Sequence, residues 1–282
     1  MSAVDQRDGR FSGVGGLEIY WQRWLPQAPS GRPTIVIAHG ASEHGGRYGH
    51  LVERLVPAGY PVYAIDHRGH GRSQGKRAVI DRLANACADL DTLIGLACAE
   101  RPDAPLFLLG HSLGGCIALA YALDRQERID ALILSAPAAA LESASPVVRV
   151  AARVLSVLTP SLGVFAVDPA AISRDAGEVK AYIEDPLVYH GKLPARTVAE
   201  MAAAIERFPD RVGALTLPLL VIHGSADKLV PPAASEMVNA RAGSADKTLR
   251  IYDGLFHEMF NELPPDRERV IGEVLGWLDA HA

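Results

Sequence analysis

The feature that most restricts the fold of this 282-residue chain is a set of short apolar runs that are continuous rather than alternating. Thr34–Ala38 ends in His39-Gly40, Pro61–Ile65 in Asp66, Leu106–Leu109 in Gly110, Ala131–Leu134 in Ser135, and Leu219–Ile222 in His223-Gly224. A strand that is apolar on both faces must be covered on both, as in a parallel sheet between two helix layers. Leu17–Trp24, which alternates, adds an early strand, and Thr248–Tyr252 a last one. Helical patterns at Gly49–Ala58, Leu83–Ala99, Leu113–Ala122, Ala233–Arg241 and Val270–Ala280 lie between or beyond them, giving the βαβ rhythm of a doubly wound sheet. The N-terminal Met1–Gly16 is polar and Gly-rich, without the apolar stretch of a secretion signal.

The rhythm breaks between Ala136 and Leu217, where roughly eighty residues separate two strands and a crossover needs far fewer. Ser145-Pro146 is a good helix start, a capping Ser followed by Pro at the first position. Val147, Val150, Ala151, Val154 and Leu158 then recur at helical spacing, opposite a stripe of Arg149, Arg153 and Ser156. The insertion is expected to form a cap over the carboxyl ends of the strands.

The run Leu106–Leu109 leads directly into Gly110-His111-Ser112-Leu113-Gly114-Gly115 and then a helix-compatible segment. Gly-x-Ser-x-Gly between strand and helix is a nucleophile elbow: the Ser sits on a sharp, strained turn, so its neighbours must be small. A hydroxyl attacking a carbonyl also needs a base, an acid that orients the base, and N–H donors for the oxyanion. Asp227 follows the strand Leu219–Ile222, and His257 follows the last strand, completing the order Ser…Asp…His. Asp66 also ends a strand, but it precedes Ser112 and breaks that order. His111 and His223 read as structural neighbours of the elbow and the acid loop, and His281 as part of a frayed end. The oxyanion donors expected are the N–H groups of Leu113, after the nucleophile, and Ala41, after His39-Gly40.

Together these features predict an α/β-hydrolase fold: a mostly parallel eight-stranded sheet flanked by helices, with a helical cap inserted after the sixth strand. Residues 1–136 and 217–282 would form the core and 137–216 the cap. Ser112 at the elbow argues against an epoxide hydrolase or dehalogenase, which place Asp there. A net charge of −5 argues against nucleic acid as a partner. The three cysteines, Cys87, Cys98 and Cys116, are odd in number and lie in apolar contexts, as free thiols in a reducing compartment do. No Cys/His spacing suits a metal, and no cofactor is expected. No apolar stretch is long enough to span a bilayer, so a cytoplasmic location is expected, with membrane association left open.

Several segments carry a family resemblance. His39-Gly40-Ala41-Ser42-Glu43-His44-Gly45-Gly46-Arg47-Tyr48, Asp66-His67-Arg68-Gly69-His70-Gly71-Arg72-Ser73, Gly110–Gly115, the Asp227 and His257 segments, and Ala171–His190 resemble the monoacylglycerol lipases, in particular the mycobacterial-type enzymes. The resemblance covers nearly the whole chain. It implies hydrolysis of monoacylglycerols to glycerol and fatty acid without a cofactor, and maps the triad onto Ser112, Asp227 and His257 and the oxyanion pair onto Ala41 and Leu113. It also puts Glu43, Arg47 and Tyr189 near the glycerol end of the pocket. Glu43 and Arg47 could equally be a salt bridge that braces their loop, and Tyr189 a packing residue of the cap. Some animal members have a second histidine where this chain has Phe260, and a cysteine near Leu229 and Val230. A monoacylglycerol is reached at a membrane or micelle surface, and the apolar cap segment Val147–Val167 would either touch that surface, line the acyl tunnel, or pack inside the cap. A general carboxylesterase or lysophospholipase shares the same machinery, and a non-catalytic binding protein the same fold.

Overall fold

Every apolar run named above forms a strand. The computed structural model describes residues 5–28, 30–140 and 155–282. Its main sheet holds eight strands: β1 (Asp5–Ser12), β2 (Glu18–Leu25), β3 (Thr34–Ala38), β4 (Val62–Ile65), β5 (Leu106–His111), β6 (Ala131–Ser135), and, after a small pair described below, β9 (Leu219–Gly224) and β10 (Lys247–Tyr252). The order is β1-β2-β4-β3-β5-β6-β9-β10, parallel from β4 to β10 and antiparallel at β1–β2 and β2–β4. This is the expected α/β-hydrolase sheet. Its first strand lies in the polar N-terminal segment. Asp5–Ser12 pairs residue for residue with β2 as an edge strand, largely exposed, and so needs no apolar pattern.

The helices cover both faces. On one, α2 (Leu83–Glu100) and α3 (Leu113–Arg125) bury Leu90, Leu93, Ile117 and Leu119 against Val36, Leu108 and Leu132 of the sheet. On the other, α1 (Gly49–Leu55) and α8 (Pro264–His281) bury Leu51, Leu55, Ile271 and Leu278 against Ile35, Phe107 and Ile133. Alternate residues of one strand thus feed two cores, which is why the runs are apolar without a break. Helix α8 starts six residues before the expected Val270, at a Pro that suits a first turn, with exposed polar residues there hiding the period. Its end is not frayed: His281 stacks on Trp277 with ring centroids 3.9 Å apart and bonds to Asp246 at 2.9 Å.

Between β6 and β9 lie β7 (Gly163–Phe165) and β8 (Leu193–Pro194), paired antiparallel, with α4 (Ala176–Glu184), α5 (Ala195–Ile205) and the short α6 (Phe208–Arg211); α7 (Ala233–Arg241) follows β9. Toward the end of the segment expected as cap, 137–216, Ile205, Phe208, Val212 and Leu215 are buried in the same cluster as α2 and α3. A small separate cluster, Ile172, Tyr182 and Val188, holds the front of the cap together. The helix expected from Ser145 lies mostly outside the described residues. Residues 155–158 are helical, and there the expected stripes are reversed: Ser156 is buried while Val157 and Leu158 face outward.

Candidate active site

The loops at the carboxyl ends of β3, β5, β9 and β10 meet over the sheet, the usual site location in open parallel α/β folds. Ser112 stands between β5 and α3 with φ 52° and ψ −117°, in the left-handed half of the map. Such a conformation costs energy in a residue with a Cβ, and it holds the hydroxyl clear of both elements. The close packing around it explains the small neighbours. A Cβ on Gly114 would lie 2.0 Å from the Ala38 carbonyl, and one on Gly110 2.5 Å from that of Gly114. Helix α3 therefore begins hard against the end of β3.

Asp227 and His257 come from the loops after β9 and β10. His257 Nδ1 is 2.6 Å from Asp227 Oδ2, and both side chains are almost fully buried. The other Asp227 oxygen accepts the N–H groups of Leu229 (2.8 Å) and Val230 (3.0 Å). Burial alone would raise the Asp227 pKa, but His257, His223 and these N–H donors outweigh it and hold the carboxyl well below the usual range. Burial likewise opposes charge on His257, and Asp227 overcomes it, leaving the imidazole pKa above its ordinary 6.5. His111 packs 4.7 Å from the His257 ring; burial, then His257, push its pKa down to about 3, so it stays neutral. Asp66 lies elsewhere, its oxygens taken by the N–H groups of Gly45 and Arg72 at 2.8 Å each.

Ser112, Asp227 and His257 line one cavity of about 500 Å³, with Gly40 and Ala41 on its wall. A Cβ on Gly40 would come within 3.2 Å of Ser112 Cβ, so the loop after β3 sits beside the elbow. Leu113 is the first residue of α3, where N–H groups have no partner inside the helix. A serine on a strained turn, a histidine paired with a buried aspartate and the backbone at Gly40 and Ala41 thus meet at one cavity, a set of groups suited to acyl transfer. Among the described residues no three His, Cys, Asp or Glu side chains are arranged to hold a metal.

The sequence model of a family described as "Serine aminopeptidase, S33" matches residues 29–264. The monoacylglycerol lipase of Mycolicibacterium smegmatis is 43% identical over all of both chains. The chain belongs to the monoacylglycerol lipase family of α/β-hydrolases. The monoglyceride lipase of Rattus norvegicus is 35% identical over 92% of this chain and 85% of its own. The crystal structure of Paleococcus ferrophilus monoacylglycerol lipase superposes with a TM-score of 0.82 at 33% identity, covering 94% of this chain and all of that one.

Against that family background, the remaining expected residues divide. Glu43 lines the cavity and is a brace as well: its Oε1 accepts Gly40 N–H (2.5 Å) and the Tyr48 hydroxyl (2.9 Å), and its Oε2 lies 3.3 Å from Arg47 Nε. Arg47 sits one step back, with NH2 2.6 Å from Glu258 Oε2 and its guanidinium 4.8 Å from the Tyr182 ring centre. Tyr189 is tied by its backbone N–H to Ser42 O at 2.7 Å, while the cap tyrosine that lines the cavity is Tyr182. Sequence reasoning missed both Tyr182 and Glu258. Glu258 follows His257 directly, and that adjacency was the one signal; its partner Arg47 is 211 residues away. Burial, then repulsion from Glu258, push the Glu43 pKa up to about 7 against the pull of Arg47. In Glu258 burial is outweighed by Arg47, which holds the carboxyl below its usual range.

Proposed function

We propose that this protein hydrolyses monoacylglycerols to glycerol and a fatty acid through an acyl intermediate on Ser112. The observation that carries the reading is the mixed lining of the cavity. Leu193, Val198, Met201 and Ile205 from β8 and α5 offer apolar surface, and Glu43, Tyr182 and Glu258 form a polar group around Arg47. Ser112 and His257 share that cavity, so the reacting ester has apolar surface for an acyl chain and polar groups for a small polyol. His257 takes the Ser112 proton as the hydroxyl attacks the carbonyl, and Asp227 holds the ring through Nδ1. The N–H groups of Ala41 and Leu113 receive the oxyanion. Glycerol leaves with the proton from His257, and water then cleaves the acyl-enzyme by the same path. Glu43 shapes the glycerol side directly, and Arg47 and Tyr189 hold the loop and cap around it. The test is a panel of 1- and 2-monoacylglycerols, lysophospholipids, di- and triacylglycerols with purified protein and its Ser112→Ala variant. Preferential cleavage of monoacylglycerols, lost in Ser112→Ala, is the expected result. Undiminished turnover in that variant, with contaminating esterases removed, sinks the assignment.

The cap supports a second reading, reversible contact with a lipid surface. Val157, Leu158, Leu162, Val164 and Phe165 are exposed there, and Phe165 also lines the cavity, so apolar surface leads into the site. Among the described residues no helix is long and apolar enough to cross a membrane. Flotation with phosphatidylcholine vesicles should carry the protein upward, and less so after Leu158→Ser with Phe165→Ser. Activity on vesicle substrate with no co-flotation rejects the contact.

A further inference from the structure

We propose that Glu258 is a specificity-determining residue: with Glu43 it places more carboxylate than cation at one end of the cavity, so that the site takes an uncharged polyol as leaving group and rejects one that carries a phosphate. The proposal rests on the monoacylglycerol reading above and narrows it.

Glu258 follows the base His257 in the chain, its side chain is 7% exposed, and it reaches the cavity wall. It is held in place from three directions. Its Oε2 accepts from Arg47 NH2 (2.6 Å) and from Asn261 Nδ2 (2.8 Å), and its backbone N–H donates to Ile172 O of the cap (2.7 Å). Arg47, the one guanidinium of the group, is already used. It lies between Glu43 Oε2 and Glu258 Oε2 with its face toward Tyr182, so its charge is shared by two carboxylates before any second anion arrives. Two carboxylates against one guanidinium give this end a net negative charge once both are ionised. A phosphate monoester adds about −1.5 to −2 charge at neutral pH and would meet it in a buried site. Hydroxyl groups meet carboxylate oxygens as donors and lose nothing.

Glu258 and Glu43 share Arg47 between them, so the polar lining is one group, and the apolar lining from Leu193, Val198, Met201 and Ile205 comes from other elements, β8 and α5. In this proposal the alcohol meets the first and the acyl chain the second. Lys228, the cation among the described lining residues, is exposed on the acid loop with its ammonium 5.3 Å from the Phe256 ring centre. It has no ion pair with Glu43 or Glu258 in the structure that would cancel their charge.

The experiment compares, at pH 8 and one acyl chain, 1-acylglycerol, acylcholine and 1-acylglycerol 3-phosphate as substrates of the wild type and of Glu258→Gln. The expected wild-type kcat/KM for the phosphate ester is lower than for the glycerol ester by roughly tenfold or more. Glu258→Gln should narrow that ratio by about tenfold, chiefly by raising turnover of the phosphate ester relative to the glycerol ester. Structural damage alone would lower both and leave the ratio where it was. An unchanged ratio in the variant overturns the proposal. If Glu258→Gln does not fold, the wild type decides: a phosphate ester cleaved as fast as the choline ester overturns it, and the order glycerol or choline ahead of phosphate supports it. Cleavage of p-nitrophenyl butyrate with no cleavage of the glycerol ester overturns the monoacylglycerol reading itself, and the proposal with it.

Discussion

His223 Nε2 lies 3.0 Å from Asp227 Oδ2, the same oxygen that meets His257 Nδ1. Its other near neighbour is the Val230 carbonyl, also at 3.0 Å, so Nε2 carries a proton, and Nδ1 takes the Ser235 hydroxyl at 2.7 Å. A fully buried histidine thus holds Asp227, which in turn holds His257. His223→Phe removes that donor and leaves a buried carboxylate oxygen short of a partner. The expected cost is about 1–3 kcal/mol of stability, read by denaturant unfolding, together with a fall in kcat that exceeds any change in KM.

The pH dependence of activity follows from the pair itself. The proposed mechanism needs His257 without its extra proton, so kcat/KM should rise with pH to a plateau, with its midpoint above 6.5. Asp227→Asn removes the largest of the charges that raise it, ahead of Glu258 and Glu43. The midpoint should therefore move to lower pH while kcat drops by about 10⁴-fold, as loss of the orienting carboxylate does in serine proteases. A midpoint that stays in place in the variant contradicts the assignment of Asp227. The same shifts bear on stability. The raised His257 stabilises the fold below its unfolded pKa, an effect lost as pH rises through its folded value. The depressed Asp227 stabilises it above about 3.8, an effect lost on acidification through its own folded value.

Glu43 adds a dependence of its own. Its pKa is raised from 4.5 to about 7, so its contribution is complete below 4.5 and is lost as pH climbs through 7. The melting temperature of the wild type should therefore fall between pH 5 and 8 more steeply than that of Glu43→Gln. Calorimetry of the two proteins across that range measures the difference, and parallel curves contradict it.

Glycines at two places should respond in opposite ways. Gly114→Ala puts a methyl group 2.0 Å from a backbone oxygen that cannot turn aside, so a loss of about 3 kcal/mol or more is expected. Gly272 lies within α8, where a Cβ meets nothing within 4 Å. Gly272→Ala should raise stability by roughly 0.5–1 kcal/mol through helix propensity. Urea unfolding of both variants provides the comparison.

The parts of this molecule that could be read from its sequence are those built by neighbours in the chain. The elbow is a strand, a turn and a helix in the unbroken stretch Leu106–Arg125, and its glycines are visible because a Cβ would clash. The strands buried on both faces announce themselves by composition. Strand β1 does not, since an exposed edge needs backbone pairing and little else. Glu258 and Tyr182 acquire meaning only through Arg47, brought to them by the sheet from far along the chain. At the end of the insertion, likewise, the apolar residues buried with α2 and α3 meet partners from far along the chain.

The oxyanion loop offers the last prediction. His39 Nδ1 lies 2.7 Å from the Gly40 carbonyl, and His39 Nε2 accepts the His67 backbone N–H at 2.9 Å. One tautomer satisfies both contacts, with the proton on Nδ1. Burial, and then the neighbouring His67 and His70, keep the ring neutral by lowering its pKa well below 6.5. The peptide from Gly40 to Ala41 is trans, so holding its carbonyl toward His39 turns the Ala41 N–H the opposite way. Gly40 N–H is fixed in turn by Glu43, and Gly40 and Ala41 line the cavity beside Ser112. In the mechanism proposed above, His39 is therefore a positioning residue for the Ala41 N–H. His39→Ala should lower kcat by about 10²-fold, somewhat less than outright loss of such a donor costs, with KM little changed. His39→Asn keeps an N–H donor near the position of Nδ1 and should recover part of the loss. Equal kcat in the two variants, both folded by circular dichroism, contradicts the positioning role.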